Sequence, residues 1–403
     1  MEAAEINVVL DRLAQRFENA EQPAEGVPTA CGWGQFLDDP KAHRQTGPYG
    51  TSAGLIVSAL AGRGTAALQR VAPLVTFWWK QWEGGGAEGR RLFCQTPRLA
   101  FFYLGLRLSH ILDDDGVCAA VREELLRRTL PSGMWGNYWT AANVLDQTPR
   151  LFCSSMVVLS LTLLENASPD LLGRLEAAIR AIEDSLIGNK DIPLLHAAAA
   201  SAAILSVRGG AVSPQVKRRI RHVAWSTRAN LGDLGVYFYD YQFATGSGST
   251  EFGRDYFIVP SELLVGIAGL QRGAPVALRE RAETAAKALL TSIRTNNGAY
   301  RSDPEQRISS KNQAWAALLL YSSIAPPTSS GALARIAYEL RKERNGNWFT
   351  EVVFPLFSLC AITAEIVLFR DAGALVNVFT GIGGIIIGGL YGSTLLRNLF
   401  PGR

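Results

Sequence analysis

The densest group of reactive side chains lies in residues 237–255, where acids, tyrosines and an arginine alternate. Asp240 stands between two tyrosines, and a carboxylate that neighbouring rings shield from water can act as a general acid or base. Glu251 and Asp255 follow in the same stretch and offer further carboxylates. The pattern predicts that acid/base chemistry is carried by four catalytic residues, Tyr237, Asp240, Glu251 and Asp255.

A second set of residues has the character of a ligand-binding site, because aromatic rings and cations recur in the long segments between apolar runs. Arg98 and Arg150 follow the proline in two copies of the pentapeptide Gln-Thr-Pro-Arg-Leu. Both are predicted to bind an anion, and an ion pair with a loop acid such as Asp146 is the alternative. Loop packing is the alternative for the aromatic residues. The predicted ligand-binding residues are Trp33, Arg98, Trp135, Tyr138, Arg150, Tyr241, Arg254, Tyr300 and Arg301.

The sequence predicts no metal site and identifies no cofactor. His110, His196 and His222 lie in helical patterns without a second ligand three or four residues away. The run of acids at residues 113–115 suits a helix cap, and the five cysteines form no CxxC pair. The net charge of +4 and the lack of a basic stripe give no case for nucleic acid.

The repeated pentapeptide sets the period of the fold. Its copies lie at residues 95–99 and 147–151, and a third Gln-Thr pair stands at 45–46. Within each period a wholly apolar segment alternates with an amphipathic one, the patterns of inner and outer helices. Six such pairs predict an all-α domain over residues 1–350, a closed (α/α)6 toroid, with an open α-solenoid as the alternative. The predicted inner helices are 51–61, 97–111, 149–164, 193–206, 259–270 and 311–323.

Long aromatic segments lead into the inner helices, whereas short turns lead out of them. In a toroid the long segments therefore meet at one end, where loops on a rigid scaffold usually carry function. Six helix N-termini also converge there and favour a negatively charged ligand. We expect a funnel at this end, and essentially no β-sheet in the domain.

Residues 351–403 are predicted to form a transmembrane helical hairpin. Residues 352–369 contain one charge, Glu365, and residues 372–396 contain none, while about 20 apolar residues span a bilayer. Basic residues flank both ends, which places residues 1–350 in the cytoplasm and makes the lipid bilayer a partner. Glycines of the second run suit close helix packing or a homo-oligomer. A buried helical pair in a soluble core is the alternative.

The turns before the inner helices resemble those of the terpenoid cyclase and protein prenyltransferase superfamily. The counterparts here are Gly32-Trp33-Gly34, Gly133-Met134-Trp135-Gly136 and Gly298-Ala299-Tyr300. The resemblance spans roughly residues 25–340 and implies a toroid that acts on an isoprenoid. The catalytic acid motifs of that superfamily have no match in this sequence.

Three functions follow from these features. The main prediction is a membrane-anchored protein that binds an isoprenoid or lipid-linked anionic substrate in the funnel. The sequence leaves open whether this protein is an enzyme. The first alternative is a sensor of a nucleotide-like molecule coupled to an oligomerising membrane hairpin. The second alternative is a glycan-processing (α/α)6 enzyme, for which aromatic platforms and the pairing of Asp240 with Glu251 or Asp255 are suitable.

Overall fold

The structure is a computed structural model of the 403-residue chain, and it describes residues 3–38, 46–63, 65–112, 116–138, 146–164, 168–226, 234–244, 250–301 and 307–324. The chain divides into two units, Met1–Ala325 and Pro326–Arg403, and all described residues belong to the first. Residues 325–350, which belong to the predicted toroid, and both predicted membrane segments lie outside the described residues. Within the described part, no helix combines the length and apolarity needed to cross a membrane. The membrane hairpin therefore stays a prediction.

The first unit is mostly helical, and every predicted inner helix is present. These inner helices are α2 (Pro48–Leu60), α5 (Thr96–Ser109), α7 (Leu151–Thr162), α9 (Leu194–Arg208), α11 (Ser261–Leu270) and α13 (Ser310–Ile324). The helices around them are α1 (Ala3–Asn19), α3 (Thr65–Glu83), α4 (Ala87–Phe93), α6 (Val117–Arg127), α8 (Pro169–Gly188), α10 (Pro214–Ser226) and α12 (Val276–Thr295). The short helix α4 had no counterpart in the sequence pattern.

The six inner helices form a closed ring. Each contacts the next in the order α2, α5, α7, α9, α11 and α13, and α13 contacts α2. An open solenoid has no contact between its first and last inner helices, so the ring excludes that alternative. Outer helices pack between neighbours of the ring; α8, for example, contacts both α7 and α9.

The interior of the ring is filled by side chains. From Phe152 to Thr162 in α7, no side chain is more than 4% exposed, and α9 is buried to the same degree from Ala197 to Leu205. A hollow wide enough for an isoprenoid would leave such side chains accessible to water. The described part of the ring therefore offers no apolar tube, and the main prediction loses its physical basis.

Tryptophans anchor the turns before two inner helices. The Trp33 indole Nε1 donates to the carbonyl of Phe17 in α1 at 2.7 Å, and the Trp135 Nε1 donates to that of Leu125 in α6 at 2.7 Å. The Trp33 ring lies against Gly54 of α2, where an added Cβ would be 2.3 Å from ring carbon Cε3. Each indole thus joins an outer helix to the start of the ring helix beside it.

The expectation of a domain without sheet was wrong. Strands β1 (Gln22–Pro23) and β2 (Cys31–Gly32) form a short pair, and β3 (Leu234–Ala244) and β4 (Thr250–Pro260) form an antiparallel ribbon. The register of the ribbon runs without a bulge from Leu234 opposite Pro260 to Ala244 opposite Thr250. The cause is the sequence Val-Tyr-Phe-Tyr-Asp-Tyr-Gln-Phe, whose aromatic and β-branched residues favour a strand.

Two glycine substitutions test the packing of the ring against the turn before it. Gly54→Ala should lower the free energy of unfolding by about 1–3 kcal/mol, because the Trp33 ring occupies the space that the new methyl needs. Gly173→Ala in α8 is the matched control: a Cβ there meets nothing within 4 Å, so helix propensity should raise stability by up to about 1 kcal/mol. Urea unfolding measures both. Equal effects of the two substitutions would contradict the packing.

Candidate functional site

All six ring helices begin at the same end of the barrel, and this end is called the mouth. The segment before α2 reaches α13, because the Ser310 Oγ donates to the carbonyl of Gly34 at 2.7 Å. The segment before α7 reaches α5, because the Thr96 amide donates to the carbonyl of Asn137 at 2.7 Å. These crossed hydrogen bonds tie the long segments together around the mouth, where the sequence placed the site.

The β3–β4 ribbon lies across this mouth. Strand β3 contacts α9 on one side and α4 on another, while β4 contacts α11 and α13. Eleven residues per strand give a length of roughly 35 Å, enough to cross a ring of six helices. The β3–β4 ribbon therefore limits access to the mouth. The sequence pattern had indicated a loop in this place.

Two cations converge on one tyrosine at the mouth. The Arg98 guanidinium carbon lies 5.2 Å from the centroid of the Tyr49 ring, and the Lys311 Nζ lies 4.3 Å from it. Tyr49, Arg98 and Lys311 stand in the first turns of α2, α5 and α13, three consecutive helices of the ring. We call these three residues the cation–tyrosine cluster. Lys311 is only 4% exposed, so a charge has been brought into a largely water-free position.

Arg98 and Arg150 lie at the same end of the barrel but in different surroundings. Arg98 also donates to the carbonyl of Arg91 at 3.2 Å, which ties it to α4. Arg150 is exposed, and its Nε lies 4.0 Å from a carboxylate oxygen of Asp146. This contact favours the ion-pair alternative for Arg150, and the anion-binding role of Arg98 stays a prediction. No described contact brings the two guanidinium groups together.

Three of the predicted ligand-binding aromatics are buried anchors. Trp33, Trp135 and Tyr300 are each 1% exposed. Gln313 of α13 brackets the backbone of Tyr300, because its Oε1 accepts from the Tyr300 amide at 2.8 Å and its Nε2 donates to the Tyr300 carbonyl. These rings hold the mouth in place, and in this conformation they offer no surface to a ligand. Their predicted ligand role rests only on the sequence.

Tyr138 and Arg301 have more access to solvent. Tyr138 is half-buried, and its backbone pairs with Gln95 in an isolated bridge directly before α5. Arg301 is exposed and follows the anchored Tyr300. Tyr138 therefore lies beside α5, the helix that carries Arg98. Arg301 lies in the segment before α13 and is exposed to solvent.

Tyr237 pins the ribbon to the ring. Its hydroxyl donates to the side-chain oxygen of Asn137, and its ring lies 4.6 Å from that of Phe152 and 5.3 Å from that of His196. Burial raises the pKa of the Tyr237 phenol well above its ordinary value and lowers the pKa of the His196 imidazole. Both groups are therefore neutral at pH 7, and Tyr237 is held as a hydrogen-bond donor.

The remaining predicted catalytic residues occupy ribbon positions that do not pair with one another. Asp240 is opposite Arg254, Asp255 is opposite Tyr239, and Glu251 is opposite Phe243. Tyr241 is opposite Gly253. The register therefore places no two of these acids opposite each other.

Other reactive groups near the mouth have structural roles. Asp146 accepts from the amides of Asn137 at 3.2 Å and Thr148 at 3.0 Å, which fixes the turn before α7. Cys153 is fully buried, its Sγ donates to the carbonyl of Gly136 at 3.3 Å, and burial raises the pKa of its thiol. A protonated, enclosed thiol is a poor nucleophile. Within the described residues, no group of three or more acids, histidines or cysteines is arranged to hold a metal.

Lys311 belongs to the cations that the sequence pattern places around the predicted pocket, and it is the single charged residue of α13. Asn137 is a site residue that sequence reasoning missed. No local sequence signal points to it, because its link to Tyr237 spans 100 residues.

No protein-family model and no curated protein matches the chain. Solved structures similar to it include the α-1,6-mannanase GH76A of Salegentibacter sp. HEL1_6, at 12% identity and a TM-score of 0.48, over 79% of this chain and 98% of that one. An inactive variant of the same mannanase in complex with α-1,6-mannotriose matches with the same values. At this level the likeness carries no argument about activity.

The resemblance to terpenoid cyclases and protein prenyltransferases was wrong. The solved structures that match are α-1,6-mannanases. The turns that suggested the resemblance are explained by packing, since Trp33, Trp135 and Tyr300 are buried where each turn meets a ring helix. The glycine–aromatic turns are therefore explained by the packing of the barrel, and they give no information about a substrate.

Tyr237→Phe tests the link between ribbon and ring. The loss of the hydroxyl should cost about 1 kcal/mol near neutral pH, because the Asn137 oxygen loses its donor. The raised pKa has a second consequence. Unfolded tyrosines ionise near pH 10 while folded Tyr237 stays protonated, so this residue favours the folded state less as pH rises above about 10.

The measurement is urea unfolding of both proteins at about pH 8 and about pH 11. The wild type should lose more stability between these two values than Tyr237→Phe does. Equal losses would mean that the phenol ionises freely, and that the ribbon is not pinned through a buried Tyr237.

Proposed function

We propose that the mouth of the ring binds a carbohydrate chain beneath the β3–β4 ribbon. The observation that carries the proposal is the position of Tyr49 and Tyr138, two half-buried tyrosines at or beside the starts of neighbouring ring helices. A tyrosine presents an apolar ring face to the C–H side of a sugar and a hydroxyl to its polar edge. Together with a few polar groups, such rings are typical of a small-ligand site.

The shape of the mouth supports the same proposal. A ligand bound beside a ribbon that crosses the ring would lie along the ribbon, which suits an extended chain molecule better than a compact one. The packed interior of the described ring favours a ligand that stays at the mouth over one that enters the barrel. The proposed ligand therefore lies between the tyrosines and the ribbon.

Processing of the bound chain would depend on the ribbon acids. Glycoside hydrolysis usually needs two carboxylates on either side of the bond, at separations that decide the stereochemical outcome. Asp240 on β3 and Glu251 and Asp255 on β4 are the ribbon acids from which we propose that this pair is drawn.

Titration calorimetry with oligosaccharides of defined linkage tests the proposal on the full chain. At least one series should bind, and Tyr49→Ala or Tyr138→Ala should weaken it about tenfold, which corresponds to about 1.4 kcal/mol. Tyr321→Ala is the matched control, because Tyr321 is a half-buried tyrosine near the other end of α13. Circular dichroism checks that each variant folds.

Release of new reducing ends, lost in Glu251→Gln or Asp255→Asn with binding retained, would extend the proposal from binding to hydrolysis. Binding of nucleotides in place of every oligosaccharide would favour the sensor alternative. If Tyr321→Ala weakened binding as much as the two mouth variants, the site would not be at the mouth.

A further inference from the structure

We infer that His196 and Asn137 form a subsite for sugar hydroxyl groups beside Tyr237, on the α7–α9 side of the mouth. This inference rests on the proposed carbohydrate site and adds two polar residues to it. The ligand class is an uncharged sugar, because an amide and a neutral imidazole recognise hydroxyl groups through hydrogen bonds.

The two residues contact the same tyrosine from distant parts of the chain. His196 lies in the first turn of α9, and its ring is 5.3 Å from that of Tyr237. Asn137 lies in the segment before α7, and its Oδ1 accepts from the Tyr237 hydroxyl. Tyr237 therefore has the imidazole beside its ring and the amide at its hydroxyl, and both groups lie next to strand β3.

The amide nitrogen of Asn137 is a buried donor. Asn137 is 3% exposed, and its side-chain oxygen is occupied by Tyr237. Among the residues that the structure describes, its Nδ2 has no acceptor. A buried N–H group that has lost its hydrogen bonds to water is costly unless an acceptor replaces them. A hydroxyl oxygen of a ligand is such an acceptor.

The imidazole of His196 is half-buried between two aromatic rings. The ring of Phe152 lies 5.6 Å from it, and the ring of Tyr237 lies on another side. Within the described part of the chain, neither imidazole nitrogen has a hydrogen bond or an ion pair. Because burial lowers the pKa of His196, one nitrogen donates and the other accepts at pH 7. A hydroxyl group also donates and accepts, so it matches both nitrogens.

The surroundings of the pair favour an uncharged ligand. Burial alone lowers the pKa of His196, and no charged neighbour contributes to the shift. The carboxylate of Asp146 lies close to Asn137, but it already accepts from the backbone amides of Asn137 and Thr148. Hydrogen bonds, and not ion pairs, are therefore what this side of the mouth offers a ligand.

Both residues are held in place by the fold. The Asn137 amide donates to Asp146 Oδ2 at 3.2 Å, and the Asn137 carbonyl accepts from the Thr96 amide at 2.7 Å. His196 begins a ring helix in which residues 197–205 are at most 4% exposed. Groups that are already ordered lose little conformational freedom when they bind a ligand, which favours affinity.

The test is titration calorimetry of the full chain with cello-, xylo- and α-1,6-manno-oligosaccharides. His196→Phe keeps a ring between Phe152 and Tyr237 but has no nitrogens, and it should weaken binding about tenfold. His196→Gln keeps a donor and an acceptor and should restore most of the affinity. A purely structural role of the ring predicts the opposite order.

Asn137→Asp keeps the acceptor for Tyr237 and removes the amide donors, so it should also weaken binding about tenfold. His222→Phe is the matched control, because His222 is exposed on the outer helix α10. Circular dichroism checks that each variant folds.

Nitrogen-15 NMR of the wild type measures the imidazole directly. The chain has four histidines, and the signal of His196 is the one that its variants lack. Bound ligand should shift this signal, whereas the signal of His222 should stay unchanged.

The outcomes separate this inference from the proposed function. Suppose that Tyr49→Ala weakens binding while His196→Phe and Asn137→Asp bind as the wild type does. The carbohydrate site would then stand, and the inference would be overturned. An equal loss of affinity in His222→Phe would show a nonspecific effect and would also overturn it.

If no oligosaccharide binds, the proposed function fails and two other hydroxyl-bearing probes decide the inference. Myo-inositol and uridine are titrated into the wild type, His196→Phe and Asn137→Asp. Binding of either probe that both variants weaken would keep the hydroxyl subsite with a ligand other than a carbohydrate chain. Absence of binding and of an NMR shift with every probe would overturn the inference.

Discussion

Closure of the helix ring depends on how the long segments are held at the start of each inner helix. At two of these points the same pair of hydrogen bonds recurs. The Trp33 indole reaches the Phe17 carbonyl while its backbone amide donates to the Thr51 hydroxyl at 3.4 Å. The Trp135 indole reaches the Leu125 carbonyl while its amide donates to the Ser154 hydroxyl at 3.0 Å. At each of these points, one tryptophan therefore joins the outer helix, the turn and the ring helix.

The mouth takes its geometry from these anchors. Because each turn is fixed at its buried aromatic residue, the residues that follow enter the ring helices in a set direction, and their first turns face a common opening. The cation–tyrosine cluster is a product of this arrangement, since its three members have equivalent first-turn positions in neighbouring helices. Arg128 extends the same framework: its fully buried guanidinium donates to Glu124 at 2.8 Å and to the carbonyl of Phe93 at 2.8 Å, which supports the turn before α5.

Much of the scaffold could be predicted from the sequence, because each inner helix is apolar all round and each outer helix has one charged face. The repeat of Gln-Thr-Pro-Arg-Leu even marked the starts of α5 and α7. The β3–β4 ribbon was not predicted, although the aromatic and β-branched residues of β3 favour a strand and only five residues separate the end of β3 from the start of β4, as in a β-hairpin. Its tyrosines and acids are equally suited to a loop that carries a site, so residue types alone do not separate the two interpretations.

The site was harder to predict than the scaffold for a related reason. Aromatic residues in long segments serve either as anchors or as ligand surfaces, and the two uses look alike in sequence. Burial separates them here: Trp33, Trp135 and Tyr300 are enclosed, whereas Tyr49 and Tyr138 keep access to solvent. Arg98 and Arg150 also share a motif, yet only Arg98 stands over a tyrosine while Arg150 faces Asp146. A sequence repeat determines the position of a residue in the fold, whereas the residues that contact it from other repeats determine its role.

A crystal structure of the full chain with a bound oligosaccharide tests the central claim most directly, because it locates the ligand independently of any variant. The account predicts a closed ring of six inner helices, with the sugar at the mouth between the tyrosines Tyr49 and Tyr138 and the β3–β4 ribbon. Ligand density inside the barrel, or at the end where the inner helices finish, would contradict the claim that this mouth is the functional site.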